Sequence, residues 1–350
     1  MEYRQLGRTG LKVSAFGLGV MTFGGQTGED DAFRQLDMAF NAGVTLFDTA
    51  ENYPTPLSPE TQGKSEAILG RWIASRGLRD KVVIATKVAG PGSAAGALDY
   101  IRGKDRRLDA ANIRKAVEDS LRRLGTDVID LYQVHWSERA ITTLGRSRFS
   151  LVADAPGTVP ISETLEALGE LVREGKVRAL GVCNESAWGA MEYLAAGAAE
   201  GLPRVSSVQN GYSLLDRSFE LALAEVAMRE QTGLIAYSPL AGGTLTGKYG
   251  EKPVPIPGSR SSDSPTFVSR FSEGKQRAIK AYGDLARSRG LEPAHMALAF
   301  VRQQPFTTSV LMAASRADQL ASNLGAIDLK LDKELVSAIN AIHDAQPNPR

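Results

Sequence analysis

The stretch Phe47-Asp48-Thr49-Ala50-Glu51-Asn52-Tyr53 closes a short apolar run with a carboxylate and places a phenol five residues later. Two other apolar runs end in the same way. Lys87 follows residues 82–86, and His135 follows residues 128–134. A short apolar run rich in β-branched residues is typical of a buried strand. An acid, an amine and an imidazole at the ends of three such strands predict one shared pocket.

Eight short apolar runs occur along the chain, with helical patterns between them. The runs are residues 15–20, 44–47, 82–86, 128–134, 177–182, 205–208, 234–236 and 308–311. Asp109 can cap a helix that Gly125 ends. A second helical pattern stops at Gly175, and Ser218 can open a third. Because strands that alternate with helices pair in parallel through right-handed crossovers, the sequence predicts an α/β fold, a (β/α)8 TIM barrel.

Two additions to the barrel are indicated near the ends of the chain. Residues 3–6 and 11–14 flank Gly7-Arg8-Thr9-Gly10, a pattern typical of a small β-hairpin that could plug the barrel floor. Helical patterns near residues 293–303 and 333–343 predict extra C-terminal helices. The expected architecture is therefore a TIM barrel with an N-terminal β-hairpin and extra C-terminal helices.

No linker divides the chain, so residues 1–350 are predicted to form a single domain. Three stretches are longer than simple connectors. They lie at about residues 89–108, 136–160 and 241–269, and the last is rich in Pro, Gly and Ser. Loops of this length in a compact domain tend to be functional lids or mobile segments.

Composition narrows the class of protein. The formal net charge is +1 and charged residues make up 23% of the chain, which gives no basis for binding nucleic acid or an anionic membrane. One cysteine, Cys183, excludes an internal disulfide framework and fits a reducing compartment. Residues 1–5 are polar, and no apolar run approaches the roughly 18 residues of a membrane span. We expect a cytoplasmic globular protein.

Polar residues follow nearly every predicted strand. The positions after the runs are Gly19-Val20-Met21-Thr22, Asp48, Lys87, His135, Asn184, Gln209, Tyr237-Ser238-Pro239-Leu240 and Ala313-Ala314-Ser315-Arg316. In a barrel of parallel strands the active site lies at the carboxyl ends, where the following loops gather. We therefore expect these residues to share one face of the barrel.

An ordered set of motifs resembles the aldo-keto reductase superfamily. The motifs are Asp48-Thr49-Ala50-Glu51-Asn52-Tyr53, Lys87, Gln133-Val134-His135-Trp136, Gly181-Val182-Cys183-Asn184, Gln209-Asn210, Tyr237-Ser238-Pro239-Leu240 and Leu245-Thr246-Gly247-Lys248-Tyr249. The resemblance runs from residue 3 to about residue 343 and is greatest to the branch that contains bacterial members and the potassium-channel β subunits. It implies the reduction of a small-molecule aldehyde or ketone.

The resemblance also implies roles for four residues. Reduction of a carbonyl leaves charge on oxygen, which requires a proton donor, and Tyr53 would be that donor. A tyrosine has a pKa of about 10, and a nearby cation such as Lys87 favours its phenolate. Asp48 would hold Lys87 charged and oriented. His135 would position the substrate carbonyl, with Trp136 beside it.

Each of these four residues also has a structural interpretation. Asp48 could be a helix N-cap, and Lys87 could be a solvated residue at a strand end. His135 could be a hydrogen-bonded structural histidine, and Tyr53 could be a rim aromatic in a loop. The predicted architecture favours the catalytic interpretation because it brings all four together.

A nicotinamide dinucleotide bound without a Rossmann domain is implied by the resemblance. The sequence agrees, because Gly17-Leu18-Gly19 begins a glycine fingerprint but Thr22 stands where the third glycine should be. By resemblance, Tyr237 would stack on the nicotinamide, and Asn184 with Gln209 would bind its carboxamide. The other implied cofactor-binding residues are Gly19, Met21, Thr22, Asp48, Ser238, Pro239, Leu240, Thr246, Lys248, Arg260, Ser315, Arg316, Gln319 and Asn323.

Arg316 favours NADPH over NADH as the cofactor. At the start of a predicted helix, its charge and donors suit the 2′-phosphate of the adenosine end. Gln319 and Asn323 lie at i, i+4 on the same helix and could instead form an ordinary solvated face. Two departures from the family pattern concern cofactor affinity. Cys183 replaces a serine, and Ala313 replaces a glycine at the end of the last strand.

Two other functions are compatible with parts of the sequence. The main alternative is an NADPH-binding regulatory or sensor protein with slow turnover, similar to the potassium-channel β subunits. Residues 242–248 also match most of a phosphate-binding P-loop, but Tyr249 occupies the Mg²⁺-binding position and three prolines follow. No metal is expected, since His295 and His343 lie in the C-terminal helical part without ligand spacing.

Three aromatic residues and several cationic residues bear on the kind of substrate. Trp136, and possible contributions from Trp188 and Tyr212, would give the pocket an apolar wall, although Trp188 fits core packing on a helix better. The first two long loops also contain cationic residues that could attract an anionic carbonyl substrate or form solvated surface. They are Arg102, Lys104, Arg106, Arg107, Arg139, Arg146 and Arg148.

Overall fold

Eight parallel strands close into a barrel in the computed structural model, which describes residues 1–91, 98–104, 106–141, 153–250, 255–263, 267 and 271–349, without the side chains of residues 260 and 263. The barrel strands are β3 (Phe16–Gly19), β4 (Leu46–Asp48), β5 (Val83–Val88), β6 (Ile129–Val134), β7 (Val177–Cys183), β8 (Val205–Gly211), β9 (Gly233–Tyr237) and β10 (Thr307–Met312). Their order follows the sequence, and β10 pairs with β3 to complete the ring. The predicted TIM barrel is confirmed.

The predicted hairpin is confirmed at the amino end of the barrel. Strands β1 (Tyr3–Gln5) and β2 (Lys12–Ser14) pair antiparallel. Leu6 and Val13 are fully buried and belong to a cluster of apolar side chains inside the barrel. The other buried members are Leu46, Val83, Ala85, Leu131, Ala179, Ile235 and Leu311. The hairpin thus closes the end opposite to the loops that follow the strands.

Helices cover the outside of the barrel. They are α1 (Glu29–Asn41), α2 (Lys64–Arg76), α3 (Ala110–Leu124), α4 (Ile161–Arg173), α5 (Ala187–Glu200), α6 (Leu223–Glu230), α7 (Arg260–Asp263), α8 (Glu273–Ser288), α9 (Pro293–Gln303), α10 (Ala317–Leu324) and α11 (Lys333–Ala345). The predicted caps of α3 are confirmed, since the Asp109 carboxylate accepts from the Asn112 N–H and Gly125 is left-handed. Ser218 opens a short 3-10 turn before α6 rather than α6 itself.

Helices α1 and α2 were not predicted, and their starts explain why. Gly28 and Gly63 precede them, and neither offers a side chain that could cap the first turn. The usual sequence signal of a helix start is therefore missing at both. Helices α9 and α11 confirm the two predicted C-terminal helices.

The three long stretches are partly described. In the first, Leu98 and Ile101 pack on Ala89 in a small apolar cluster. The third contains the 3-10 helix Ala241–Thr246 and α7. Residues 92–97, 105, 142–152, 251–254, 264–266 and 268–270 lie outside the described part, so the prediction of lids or mobile segments stays a prediction. In the described ranges, no helix is both long and apolar enough to cross a membrane.

Candidate active site

A buried ion pair stands at the carboxyl ends of two neighbouring strands. β4 ends at Asp48 and β5 carries Lys87, and the two strands are paired in parallel. The Lys87 Nζ lies 2.6 Å from Asp48 Oδ2 and donates to the Thr49 carbonyl oxygen at 2.7 Å. Burial is the largest single influence and would favour a neutral amine, but Asp48, with smaller contributions from Tyr53 and Cys183, outweighs it, and the pKa of Lys87 is raised above its ordinary value. Lys87 is therefore a permanent cation at neutral pH.

Two amides hold the second oxygen of the Asp48 carboxylate. Gln209 Nε2 donates to Asp48 Oδ1 at 2.7 Å, and Gln133 Nε2 donates to the same oxygen at 3.2 Å. All three side chains are buried. Asp48 is not a helix cap, because its carboxylate binds Lys87 and two amides. Lys87 is not a solvated residue, because its side chain is buried and paired with Asp48. Gln133 was not predicted as a site residue.

The phenol and the imidazole lie beside the ion pair. Lys87 Nζ lies 5.2 Å from the ring centroid of Tyr53. The rings of Tyr53 and His135 meet edge to face at 5.6 Å between centroids, and Trp136 stacks on His135 at 6.4 Å. The four residues to which catalytic roles were assigned thus converge on one place, as the spacing of strand ends predicted.

His135 is a neutral side chain at physiological pH. Burial, and then the charge of Lys87, hold the pKa of His135 well below its ordinary value. Its Nδ1 is buried and has no hydrogen-bond partner in the described part of the chain. A neutral imidazole can offer one hydrogen bond without competing as the proton source.

The half-buried ring of Tyr237 lies at the end of β9, close to β8. The Tyr237 hydroxyl donates to Asn184 Oδ1 at 2.7 Å, and Asn184 Nδ2 donates to the His135 carbonyl oxygen at 3.0 Å. Gly211 lies against the ring, since a Cβ built there would come within 3.3 Å of Tyr237 Cε2. Asn184 adopts a left-handed backbone with φ of 54°. The aromatic ring and the amide are held in fixed places beside the ion pair.

Cys183 takes part in the same network. Its thiol donates to Gln209 Oε1 at 3.5 Å and accepts from Asn184 Nδ2 at 3.3 Å. Burial raises the pKa of Cys183 to about 12, so the group is a neutral thiol. The departure from serine therefore lies between the two amides that are implied to bind a carboxamide.

The loops that follow β3 and β10 are joined by hydrogen bonds. Thr22 and Thr27 are linked through their hydroxyls at 2.9 Å, and the Thr27 hydroxyl donates to the Ser315 carbonyl oxygen at 3.2 Å. The Ser315 N–H donates to Gln319 Oε1 at 3.2 Å. Asn323 is buried, so the interpretation of this helix side as an ordinary solvated face is wrong for Asn323.

A surface cavity of about 410 Å³ opens between the start of α1 and the start of α10. Arg34 and Arg316 line it, together with Asp31 and Asp318. Arg316 is exposed and lies 2.7 Å from Asp318, and Arg34 lies 3.1 Å from Asp31. Both guanidinium groups are thus available to an anion that competes with a solvated aspartate.

The remaining predicted cofactor residues lie at the end of β3 or in loops near the site. Gly19 pairs with Asp48 in the barrel, and the Met21 carbonyl accepts from the Thr55 N–H at 2.9 Å. Ser238 is left-handed with φ of 54°, and Pro239 and Leu240 follow it. The Thr246 hydroxyl donates to the Gly243 carbonyl, and Lys248 lies over the Tyr249 ring. The side chain of Arg260 lies outside the described residues.

The P-loop interpretation is wrong. A P-loop requires an α-helix to begin at its lysine. In this chain Ala241–Thr246 is a 3-10 helix that contains two left-handed glycines, and residues 247–249 form a turn. In the described residues, no group of His, Cys, Asp or Glu side chains is arranged to hold a metal ion.

Two aromatic residues proposed for the pocket wall lie elsewhere. Trp188 is 62% exposed on α5, beneath the guanidinium of Arg139, so the prediction of core packing is also wrong. Tyr212 is 1% exposed and packs against Phe306 in the core, with its hydroxyl bonded to Glu220. Of the three aromatic residues proposed for the pocket wall, Trp136 stacks on His135.

The described arginines of the first two long loops bind acidic side chains or backbone carbonyl groups. Arg102 is paired with Glu51, Arg107 with Glu138 and Arg139 with Glu185. Arg106 is buried and donates to the carbonyl oxygens of Gly90 and Leu98. Lys104 is exposed, and residues 146 and 148 lie outside the described part. Neither solvated surface nor attraction of an anionic substrate describes Arg102 or Arg106.

A parallel eight-stranded barrel with a polar cluster at the carboxyl ends of its strands defines the class of a TIM-barrel enzyme. The family itself follows from sequence comparison, because residues 15–344 match the profile of the Aldo/keto reductase family. The chain belongs to this family of oxidoreductases, whose members reduce carbonyl groups and generally use nicotinamide cofactors.

Individual relatives agree. Protein tas of Escherichia coli (strain K12) is 46% identical over 351 residues, which cover 100% of this chain and 99% of that protein. The uncharacterized oxidoreductase YrpG of Bacillus subtilis is 34% identical over 345 residues, covering 98% and 96%. An aldo-keto reductase of Babesia bovis is 37% identical over 281 residues, covering 75% and 96%. The predicted resemblance is confirmed.

Proposed function

We propose that this chain reduces aldehydes or ketones to alcohols with NADPH, and that Tyr53 is the general acid. The observation that carries the proposal is the buried Asp48–Lys87 ion pair beneath the ring of Tyr53. A hydride that arrives at a carbonyl carbon leaves negative charge on oxygen. A permanent ammonium beside the phenol lowers the free energy of transferring its proton to that oxygen.

His135 acts in this proposal as a positioning group for the substrate carbonyl. A neutral imidazole edge-on to Tyr53 can hold the carbonyl oxygen near the phenol without supplying the proton. Trp136 stacks on that imidazole and offers an apolar face to the rest of the substrate. Aromatic or aliphatic carbonyls are therefore the substrates we favour.

The side chains near Tyr237 fit a nicotinamide. When bound, the cofactor supplies the hydride. A half-buried aromatic ring backed by Gly211 offers a stacking face, and the amides of Asn184 and Gln209 lie within the same network. Gly19, Met21, Thr22 and Asp48 would border the nicotinamide. Ser238, Pro239, Leu240, Thr246, Lys248 and Arg260 would follow the pyrophosphate, and Ser315, Gln319 and Asn323 the adenosine.

A preference for NADPH over NADH is supported by the cavity between α1 and α10. Arg316 and Arg34 both line this cavity, and a 2′-phosphate would place its dianion between two guanidinium groups. NADH has only a hydroxyl there. The aspartates beside each arginine moderate the preference, since they compete for the same donors.

We propose that residues 1–350 form one domain and that the protein acts in the cytoplasm. The family profile spans most of the chain, and the single cysteine is buried as a free thiol. The near-neutral net charge of +1 supports a function without nucleic acid.

The experiment measures NADPH oxidation with a panel of aromatic and aliphatic aldehydes and ketones, in the parent protein and in Tyr53→Phe. We expect turnover in the parent and a kcat lower by roughly 10²–10⁴-fold in Tyr53→Phe, with the Kd for NADPH unchanged. Tight NADPH binding with negligible turnover across the whole panel would instead favour a regulatory or sensor protein. Full activity of Tyr53→Phe would contradict the assignment of the acid.

A further inference from the structure

Glu51 is a buried carboxylate that the proposed reaction does not use. Its side chain is 2% exposed and lies in the segment between Asp48 and Tyr53. One carboxylate oxygen accepts from the Ala89 N–H, and the other is paired with the guanidinium of Arg102. Burial raises the pKa of Glu51 even though Arg102 opposes the rise, so this carboxylate is kept in place at an energetic cost.

The backbone of Glu51 is tied to the same strand end as its side chain. The Glu51 N–H donates to the Lys87 carbonyl oxygen at 3.3 Å, and its carbonyl accepts from the side chain of Gln62. With the bond from Ala89, two contacts join this residue to β5 and the residue after it. Tyr53 is only two residues further on, so a shift of Glu51 relative to β5 changes the separation of the phenol and the Lys87 ammonium.

Arg102 holds this junction from the loop that follows β5. Its Nη2 donates to the Ala89 carbonyl at 2.8 Å, and its Nε donates to Asn112 Oδ1 at 3.2 Å in the first turn of α3. Arg102 itself has φ of 57°, a left-handed backbone that costs free energy for any residue except glycine. The guanidinium therefore joins three segments: the loop with Glu51, the end of β5 and the start of α3.

We propose that the Glu51–Arg102 ion pair is a positioning device that sets the phenol of Tyr53 against the ammonium of Lys87. The inference rests on the proposed function, in which Tyr53 is the acid. A buried ion pair is weak evidence for stability, because apolar replacements of similar volume are often as stable. What such a pair supplies is fixed geometry, and a misplacement of about 1 Å can cost about 100-fold in rate.

A matched buried carboxylate at the other end of the barrel provides the control. Asp130, near the start of β6, accepts from the Ile84 N–H at 2.9 Å and is paired with Arg79 and Arg178. Like Glu51, it joins one backbone N–H to arginine, although Ile84 lies within β5 and Ala89 directly follows it. It is far along the strand from the residues that meet Tyr53, so its loss tests stability alone.

The experiment compares Glu51→Gln with Asp130→Asn in the full chain. It measures the melting temperature, the Kd for NADPH, kcat and the pH dependence of kcat. For Glu51→Gln we expect kcat to fall by roughly 10- to 100-fold with unchanged NADPH affinity. The alkaline decline of kcat should move away from its parent position, because the distance between the phenol and the Lys87 ammonium changes. Lys87, His135 and Tyr237 face Tyr53, and the substitution alters none of them.

Asp130→Asn is expected to lower the melting temperature while kcat and its pH profile stay at the parent values. If Glu51→Gln behaves in the same way, the positioning role is overturned. Should Glu51→Gln fail to fold, Arg102→Lys decides, because lysine keeps the charge but loses the fork that reaches Ala89 and Asn112. We expect Arg102→Lys to reproduce the loss of kcat, and parent kcat with a parent pH profile would overturn the proposal.

Tyr53→Phe separates this inference from the proposed function. If Tyr53→Phe retains the parent turnover, the assignment of the acid fails. If Tyr53→Phe loses turnover while Glu51→Gln and Arg102→Lys keep the parent kcat and pH profile, only the positioning role fails.

Discussion

Both ends of the barrel contain a buried carboxylate paired with a cation, but the two pairs have different roles. Near the start of β6, Asp130 lies on the side of the strand that faces the helices, and Arg178 reaches it from a half-exposed position. At the end of β4, Asp48 pairs with Lys87, whose side chain is fully buried beneath the ring of Tyr53. The first pair accepts a hydrogen bond from the buried Ile84 N–H, whereas the second presents a cation to a phenol.

The difference lies in what covers each end. Leu6 and Val13 of the hairpin pack at the amino end among the apolar side chains inside the barrel. At the carboxyl end, the half-buried rings of Tyr53, Trp136 and Tyr237 and the neutral imidazole of His135 are gathered around the ion pair. We therefore expect kcat to depend on the carboxyl end alone, whereas substitutions at either end should affect stability.

The largest effect should follow from Lys87→Met. Removal of the ammonium deprives the phenol of its cation, so kcat should fall by roughly 10²–10⁴-fold. It also leaves Asp48 as an uncompensated buried charge, which should cost about 3–5 kcal/mol of unfolding free energy. Steady-state kinetics and urea unfolding measure the two quantities. A kcat within a factor of two of the parent value would show that turnover does not depend on Lys87 at the carboxyl end.

At the amino end, Leu6→Ala should affect stability alone. The side chain is fully buried in the cluster inside the barrel, so its truncation should cost about 2–5 kcal/mol of unfolding free energy. The kcat of the folded protein should be unchanged. Urea unfolding together with kinetics below the transition tests this, and a loss of kcat comparable with that of Lys87→Met would contradict it.

Arg316→Ala, in the cavity between α1 and α10, should change the affinity for NADPH. Because Arg316 can form a charge-assisted bond to a 2′-phosphate, we expect its loss to weaken NADPH binding by about ten-fold and to leave NADH binding unchanged. Arg34→Ala is the matched variant on the other wall of the same cavity. Fluorescence titration of the parent protein and both variants with NADPH and with NADH measures the six affinities. Equal affinity of the parent protein for NADPH and NADH would remove the preference.

The smallest effect is expected from Cys183→Ser. A hydroxyl is a stronger donor than a thiol to Gln209 Oε1, so the amide should be held better for the cofactor. We expect NADPH to bind about two- to five-fold more tightly, with kcat unchanged. Titration of NADPH against both proteins measures this, and weaker binding in the serine variant would show that the thiol suits the site better.

The barrel and the convergence of its strand ends could be predicted because both follow from local pattern. Short apolar runs define the strands, and parallel pairing brings Asp48, Lys87 and His135 to one end. Gln133 was also within reach of the sequence. It stands two residues before His135 on β6, and strand periodicity places both on one side.

Long-range pairing and the packing of small residues could not be predicted in the same way. The partner of Glu51 is 51 residues away on an irregular loop, and no local pattern identifies Arg102. On α5 the buried side is built from Gly189, Ala190, Tyr193 and Leu194 with Gly197, and this side excludes Trp188. Size and hydrophobicity alone suggested the opposite for Trp188, because they do not show which side of a helix lies closest to the barrel.

We propose that the phenol of Tyr53, and not the imidazole of His135, supplies the proton at the carboxyl end of the barrel. The most direct test is the pH dependence of single-turnover hydride transfer from NADPH to an aldehyde. Since burial and Lys87 hold the pKa of His135 well below its ordinary value, the imidazole stays neutral and the rate should be level between pH 6 and pH 8. The rate should fall only on the alkaline side, where the phenol loses its proton. A rate that rises as pH drops from 8 to 6, as expected for a protonated imidazole with an ordinary pKa, would contradict the assignment of Tyr53 as the proton donor.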